Sequence, residues 1–583
     1  MATPRPTSVL TSSQIVPIMK TIISKFQAMQ ETIIQTVTPT TACFSNVFQP
    51  WADASNEVQA QLGMISLLGY AAPSKETHEA VKEAKRVFNT AEAAWTARRD
   101  LFVLLKAAAA EHEELDPESR LWVKVRVQDF INAGHGLLDE SVIERYLRVR
   151  SRIDGLREQF SRNLRMENGG LWIDEGDLDG VPELEIQRWK LGEAANEGKR
   201  FVPFANGELK TILAHAQKAT TRERMYLADQ AKVPENIDLF REVTCLPDSQ
   251  ARLLGFPSHG EFRIRNRAVK SITYVENFLK HLRGSLIPRG RDELLKLQRL
   301  RIEDLKSTGF STDGDDGHFS PWDLEYYKRM MSLEKNSDEG KISQYFPLGP
   351  TVVGMLRIFE SFLRLRFVLI PSNKLDANSI WHEDVFPNST ESTCALLKHS
   401  EVVTLFHELG HGIHDLVSRT KYSPARKLVL DEDILKELSC HYTTLDSRYL
   451  TELLKQNPGA PGPPEKIPDD LLDAIIGSRD RFLGSVVSIF DLKIHSPGSH
   501  EEIADLDFAK LWYDLRAEVE GIDFSRLRNE GHEHVTFGHL LSGYDMGYYG
   551  YLSATPLPKT FFSRPLQRIQ GVKRYGDATD KGF

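Results

Sequence analysis

Apolar residues recur at intervals of three and four along most of the chain, which is the spacing that places them on one face of an α-helix. The clearest stripe lies in residues 140–165, at Val142, Tyr146, Val149, Ile153, Leu156 and Phe160. Similar spacing and helix-end signals predict further helices at residues 13–35, after Ser74, and at 101–112, 118–133, 210–231, 236–254, 274–283, 288–307, 322–331, within 345–363, and at 433–454, 469–494 and 508–524. The pattern therefore predicts a large, mostly α-helical protein.

One stretch, residues 170–215, departs from this pattern. Short apolar pieces at 171–173 and 201–204 stand among Gly and Asp residues, which indicates loops with one or two short strands. A Pro/Gly-rich segment at 457–468 is typical of a linker. The predicted fold class is thus mostly α with a small β component.

Length and charge narrow the class of protein. A chain of 583 residues with 41% hydrophobic residues is long enough for more than one lobe. Its net charge of −9 gives no basic face for nucleic acid, and the basic run at residues 263–267 is interpreted as a solvated surface. The four cysteines form no close pair, and neither a membrane-spanning run nor a secretory leader is recognised. A cytoplasmic protein with no membrane partner is the expectation.

Residues 404–415, TLFHELGHGIHD, carry the strongest chemical signal. They contain His407-Glu408-Leu409-Gly410-His411, an H-E-x-x-H motif. On a helix, residues four apart lie on one face, so His407 and His411 can bind one metal ion through neutral imidazole nitrogens. Glu408 stands beside them, where it can accept a proton from a water molecule. The pattern is typical of a zinc peptidase.

The competing interpretation is a surface helix with two solvated histidines. The flanking residues argue against it, because Phe406, Leu409, Ile413 and their apolar neighbours predict a helix that is largely interior. A buried helix does not gather two histidines and a glutamate without partners.

A second stretch, residues 537–551, reads FGHLLSGYDMGYYGY and is called the Gly/Tyr loop below. Glycines give a loop access to unusual backbone angles, and tyrosine or histidine side chains can donate hydrogen bonds to a developing oxyanion. The alternative is a loop whose aromatic residues only pack. The presence of the H-E-x-x-H motif favours the functional interpretation, because a peptidase needs donors opposite its metal.

Together the two stretches resemble the thimet oligopeptidase, neurolysin and saccharolysin family of zinc oligopeptidases. Residues 402–411 are similar to the family's zinc helix and 539–552 to its tyrosine loop, and 251–264, 322–329, 342–367 and 379–382 are also similar. The resemblance implies a neurolysin-like, two-lobed helical fold with a deep central channel that admits only short peptides. The corresponding division is an N-terminal helical lobe at 1–165, a channel-lining helical lobe at 166–375 and a catalytic region at 376–583.

The same resemblance implies a role for each matching residue. His407 and His411 would bind one zinc ion per chain, and Glu408 would be the general base. His539 and Tyr548 would stabilise the oxyanion, and Tyr544 and Tyr551 would contact substrate. The expected partners are short peptide substrates, with a monomeric enzyme and no nucleic acid.

The sequence departs from the family at the third zinc ligand. The family segment that supplies a glutamate downstream of the zinc helix has no clear match. One alignment places Lys436 at the ligand position. A better one aligns residues 433–442 with a later part of the family pattern, which leaves the ligand segment absent between Tyr422 and Leu430. Glu432, Asp433 and Glu437 are the candidate substitutes, although a surface carboxylate is the favoured interpretation of each.

Two other departures are visible. A block of strands that family members carry is missing after residue 385, and residues 556–583 do not resemble the family's C-terminal helices. These differences indicate either a divergent or degraded family member or a gene model that lost segments. The motif residues that remain intact favour a chain still shaped by the family's chemistry: His407, Glu408, His411, His539, Tyr548 and Tyr551. The alternative functions are a catalytically impaired peptide-binding homologue with an incomplete metal site and a zinc protein acting on a small molecule.

Overall fold

The computed structural model describes residues 10–72, 74–111, 114–205, 207–265, 267, 269–307, 319–334, 342–363, 365–368, 396–417, 420–422, 482–541 and 543–553. The helices in the first half are Ser12–Thr36, Gln49–Ala71, Lys75–Thr96, Arg99–Ala110, Pro117–Asn132, Glu140–Met166, Glu183–Arg188, Glu208–His215, Ala219–Gln230, Asn236–Leu253, His259–Ile264 and Ile272–Ser307. Those that follow are Leu324–Glu334, Leu348–Leu363, His399–Val417, Phe482–His495, His500–Ala504, Phe508–Glu520, Leu527–Glu530 and Gly550–Ser553. The predominantly helical fold is confirmed.

Three short strands form an antiparallel sheet in the order β1-β3-β2, where β1 is Gly170–Asp174, β2 is Lys190–Leu191 and β3 is Lys199–Pro203. The β1–β3 register pairs Gly170 with Pro203 and Asp174 with Lys199. The sequence predicted one or two strands here, because a strand of two residues carries no recognisable alternation.

Two helix predictions need correction. Residues 274–283 and 288–307 were predicted as separate helices, but Ile272–Ser307 is one helix with Pro288 inside it. Residues 210–231 were predicted as one helix, but it is interrupted between His215 and Ala219. The predicted helix at 433–454 and the linker at 457–468 lie outside the described residues. Across the part of the chain that is described, no helix is long and apolar enough to cross a membrane.

The chain divides into two compact units. The first comprises residues 1–151, 346–435 and 452–463, and the second comprises 152–345, 436–451 and 464–583. In the first unit, the core of the N-terminal helices is built around buried aromatic residues such as Phe48, Trp122 and Phe130. In the second, the largest core contains Phe240, Phe490, Trp512 and Tyr513, and it continues into the Gly/Tyr loop. The three-part division predicted from the sequence stays a prediction.

Candidate active site

The helix that carries the H-E-x-x-H motif, called the motif helix below, spans His399–Val417 in the first unit. The backbone N–H of Lys398 donates to Glu401 Oε2 at 2.8 Å, so an acidic side chain satisfies a free donor at the helix N-terminus. Phe406 is buried and its ring stacks on Phe359 of the helix Leu348–Leu363, with centroids 5.3 Å apart. This buried face fixes the rotation of the motif helix about its axis.

The side chains of His407 and His411 converge on one point. Their Nε2 atoms lie 3.2 Å apart, and their rings are nearly perpendicular at 85°. A tetrahedral zinc ion with Zn–N bonds of about 2.0–2.1 Å holds two nitrogens roughly 3.3–3.4 Å apart. The observed separation therefore fits two ligands of one metal ion. Glu408, between them in sequence, is exposed.

The part of the chain that is described shows no third metal-binding side chain beside His407 and His411. Within it, no group of three or more His, Cys, Asp or Glu residues is arranged to hold a metal ion. The candidate carboxylates Glu432, Asp433 and Glu437 lie outside the described residues. The two histidines are thus placed to serve as a pair of nitrogen ligands, and the described residues contain no third ligand beside them.

The Gly/Tyr loop lies in the second unit and gathers four of the predicted side chains. The ring of His539 contacts that of Tyr544 at 5.4 Å, Tyr544 stacks on Tyr551 at 6.1 Å, and Tyr551 contacts Tyr548 at 4.9 Å. Tyr549 instead points into the core and is 2% exposed. The loop therefore presents one continuous aromatic group that carries three phenol hydroxyls and an imidazole.

Two residues with positive φ shape this loop. Gly543 has φ +97° and Met546 has φ +55°, so the chain turns back between His539 and Tyr551. At Gly547 a side chain would collide with a neighbour, because an added Cβ would lie 2.8 Å from the guanidinium carbon of Arg267. Glycine at 547 thus permits Arg267 to lie against the loop backbone.

Tyr548 is half-buried, and its environment keeps its hydroxyl protonated. Burial, together with the negative charge of Asp491, raises the pKa of Tyr548 above its usual value of 10.0. A neutral phenol is a hydrogen-bond donor, which is the form that stabilises a developing oxyanion.

Several residues that contact the loop were missed in the sequence. The basic run at 263–267 was interpreted as a solvated surface, and this is wrong for Arg267, which is 4% exposed and donates to the carbonyl oxygens of Gly543 and Asp545. The error arose because the carbonyl groups that Arg267 binds lie almost 280 residues away, so the local sequence gives no sign of them. Asp491 and His495 offered a weak signal, since they are ionisable groups four residues apart in an apolar helix.

The comparisons with known proteins agree on one family. The model of peptidase family M3 matches residues 212–387 and 386–580. Saccharolysin from Saccharomyces cerevisiae is 27% identical over 91% of this chain and 84% of its own length. Oligopeptidase PhomG' from Diaporthe leptostromiformis is 25% identical over 95% of this chain and 51% of its own.

A solved structure adds a likeness of fold. The crystal structure of oligoendopeptidase F from Enterococcus faecium matches with a TM-score of 0.52 and 12% identity, covering 98% of this chain and 92% of that one. At this identity the likeness concerns the helical fold alone.

Proposed function

The chain belongs to peptidase family M3, and on that premise we propose that it is a zinc-dependent metalloendopeptidase that cleaves internal bonds of short peptides. The relative named oligopeptidase PhomG' supports a short peptide as substrate. The observation that carries the zinc assignment is the 3.2 Å separation of His407 Nε2 and His411 Nε2 on one face of the motif helix. That separation suits two ligands of a single tetrahedral ion.

When bound, zinc supplies Lewis acidity toward the attacking water and the scissile carbonyl. Glu408 is exposed beside the two histidines and takes the proton from the water, then passes it to the leaving amine. Such proton transfer by a positioned carboxylate contributes roughly 10²- to 10⁴-fold to the rate.

The Gly/Tyr loop provides the hydrogen-bond donors of the proposed reaction. Tyr548, whose hydroxyl stays protonated, donates to the developing oxyanion together with His539. Tyr544 and Tyr551, which flank these groups in the same aromatic series, contact the substrate. A monomeric state and a cytoplasmic location complete the proposal.

The test measures cleavage and metal content in the same protein samples. The purified chain is incubated with a short internally quenched fluorescent peptide, before and after dialysis against a chelator, and its zinc is measured by mass spectrometry. Glu408→Gln removes the proton acceptor at nearly constant shape, and His407→Ala removes a ligand. Glu401→Gln makes the same chemical change as Glu408→Gln at an exposed position on the same helix.

We expect near-stoichiometric zinc in the untreated protein and in Glu408→Gln, and its loss in His407→Ala. Cleavage should fall by at least about 100-fold in Glu408→Gln and stay within about twofold in Glu401→Gln. Cleavage that survives both chelation and Glu408→Gln would refute the proposal. Peptide binding that persists after chelation, with no cleavage under any condition, would establish the impaired, peptide-binding homologue instead.

A further inference from the structure

A buried carboxylate binds the backbone of the Gly/Tyr loop at three consecutive residues. Asp491 is 2% exposed and lies on the helix Phe482–His495. Its Oδ1 accepts the N–H of Met546 at 2.9 Å, and its Oδ2 accepts those of Gly547 and Tyr548 at 3.1 Å each. Hydrogen bonds to an ionised acceptor are roughly twice as strong as neutral ones. Asp491 therefore holds the segment 546–548 more firmly than packing alone would.

The conformation that Asp491 holds is one that the loop would not adopt freely. Met546 has φ +55°, a left-handed backbone region that a non-glycine residue rarely adopts unless its surroundings enforce it. The Met546 N–H bond to Asp491 and a contact from Ser496 Oγ to the Met546 sulfur at 3.6 Å provide that enforcement.

Asp491 is itself held in place by a neighbouring imidazole. His495 Nδ1 lies 2.8 Å from Asp491 Oδ1, one helical turn away and equally buried. The carboxylate therefore accepts four hydrogen bonds if the His495 Nδ1 carries its proton, which compensates for burying its charge.

The residues just before this segment are tied to a second helix. Asp545 Oδ2 lies 2.6 Å from His259 Nε2 and 3.0 Å from Arg263 Nε. Burial alone would raise the pKa of Asp545, but Arg263 and His259 hold it well below its usual range. Arg267 donates to the carbonyls of Gly543 and Asp545 at 2.8 and 3.1 Å. The loop backbone is thus fixed on both sides of Tyr544, and Asp491 is the group that reaches Tyr548.

We propose that Asp491 is a positioning residue of the peptidase: its carboxylate fixes the backbone at 546–548 and thereby holds the Tyr548 hydroxyl where it donates to the oxyanion. This inference rests on the proposed function. A donor contributes to the rate only if it is already in place when charge develops, and a displacement of about 1 Å can cost roughly 100-fold. Asp491 acts through Tyr548 and touches no substrate.

The experiment compares Asp491→Asn in two backgrounds. The substitution keeps the shape of the side chain but turns one acceptor oxygen into a donor that faces backbone N–H groups. If Asp491 acts through Tyr548, kcat falls by about 10- to 100-fold with KM changed less than about twofold, because the donor is used mainly in the transition state. In a Tyr548→Phe background, the same substitution should cost less than about threefold, because the two residues act as a unit.

Asp323→Asn is the matched control. Asp323 is a buried carboxylate of the same unit, 4% exposed, and it pairs with Arg222 rather than with the loop. This variant loses stability but keeps kcat of the folded protein within about twofold in both backgrounds. If Asp491 had a purely structural role, Asp491→Asn would lower kcat by the same factor in both backgrounds. That result would overturn the proposal.

A second measurement applies if the variant is too unstable for kinetics or if the wild type cleaves nothing. 3-Fluorotyrosine placed at position 548 reports the local order of the ring by ¹⁹F NMR. We expect one narrow resonance in the wild type and in Asp323→Asn, and a broadened or divided one in Asp491→Glu, which displaces the carboxylate by one methylene. An unchanged resonance in Asp491→Glu would refute positioning by Asp491. Absence of cleavage with an ordered, Asp491-dependent resonance would refute only the proposed function.

Discussion

At the scale of single residues, His534 shows how burial sets the acid sensitivity of the second unit. It is 3% exposed, and its ring lies against Phe240, Phe490 and Phe508 at centroid distances of 5.1, 6.1 and 6.3 Å. Removal from water disfavours the charged imidazolium, so burial lowers the pKa of His534 from 6.5 to about 3.

This shift predicts a loss of stability in acid. The unfolded chain takes up the proton near pH 6.5, whereas the folded protein does not take it up until about pH 3. Stability is therefore complete above pH 6.5 and falls as the pH drops from 6.5 toward 3, by up to about 1.4 kcal/mol per pH unit for this proton. Urea unfolding at pH 7, 6 and 5 measures the slope.

His534→Leu should reduce the slope of the free energy of unfolding against pH by up to the contribution of one proton, because no imidazole remains at this position to be protonated. The control is His281→Leu, which removes an exposed histidine of the same unit. Equal slopes for the wild type and His534→Leu would show that this histidine does not control the acid response.

The residues of the candidate site differ in how well a sequence can reveal them. The spacing of His407 and His411 lies within one turn of helix, so the motif alone predicts that their nitrogens face one another, and the 3.2 Å separation agrees. The partners of Asp491 lie 55 to 57 residues away, and no local pattern names them. Functional side chains that are close in sequence can be recognised from their spacing. The groups that orient functional side chains from distant segments depend on the tertiary fold.

At the scale of elements, the helix Ile272–Ser307 continues through Pro288, where the sequence predicted a break. Proline lacks the N–H that would bond to the carbonyl of residue 284, and its ring crowds that carbonyl. Buried leucines on both sides of it, Leu279, Leu294 and Leu297, belong to the main core of the second unit. Burial of these leucines in the core thus outweighs the local cost of a proline inside the helix, which is the feature that led to the predicted break.

Since this penalty remains in the folded protein, Pro288→Ala is expected to raise the free energy of unfolding by about 1–3 kcal/mol. Pro288 is exposed, so the change leaves core packing intact. Urea denaturation followed by circular dichroism provides the measurement. Glu293→Ala, at an exposed position in the same helix, should stay within about 0.5 kcal/mol of the wild type. A destabilised Pro288→Ala would mean that proline's restriction of the unfolded chain outweighs its cost in the helix.

The presence of the long helices was predicted well because their periodicity is repeated over many residues. The long helices Ser12–Thr36 and Glu140–Met166 lie within a residue of their predicted bounds. Boundaries set by short features were missed, as in the interruption between His215 and Ala219 and the two-residue strand β2. These features depend on neighbouring elements rather than on their own composition.

At the scale of the whole molecule, each unit is assembled from segments that are far apart in the chain. Residues 420–422, soon after the motif helix, lie against the N-terminal helices, more than 300 positions earlier in sequence. The N–H of Tyr422 donates to Glu118 Oε1 at 2.9 Å, and Asn56 Nδ2 donates to the carbonyl of Lys421 at 3.0 Å. Family resemblance could predict a large helical peptidase, but it could not name this attachment, because these residues belong to none of the matching motifs.

Tyr422 is the centre of the attachment, and its truncation tests how much the attachment stabilises the first unit. The side chain is fully buried, its ring stacks on Trp122 at 5.7 Å, and its hydroxyl lies 2.7 Å from Ser119 Oγ. Tyr422→Ala removes both contacts and leaves a cavity, so we expect a loss of about 3–5 kcal/mol.

Tyr422→Phe removes only the hydroxyl, so its cost should be about 0.5–1.5 kcal/mol, and the two variants together separate packing from hydrogen bonding. Urea unfolding provides the free energies, and Tyr70→Ala is the control, since Tyr70 belongs to the same unit and is 84% exposed. The control should change stability by less than about 0.5 kcal/mol. If Tyr422→Ala behaved like Tyr70→Ala, the segment after the motif helix would contribute nothing to the stability of the N-terminal core.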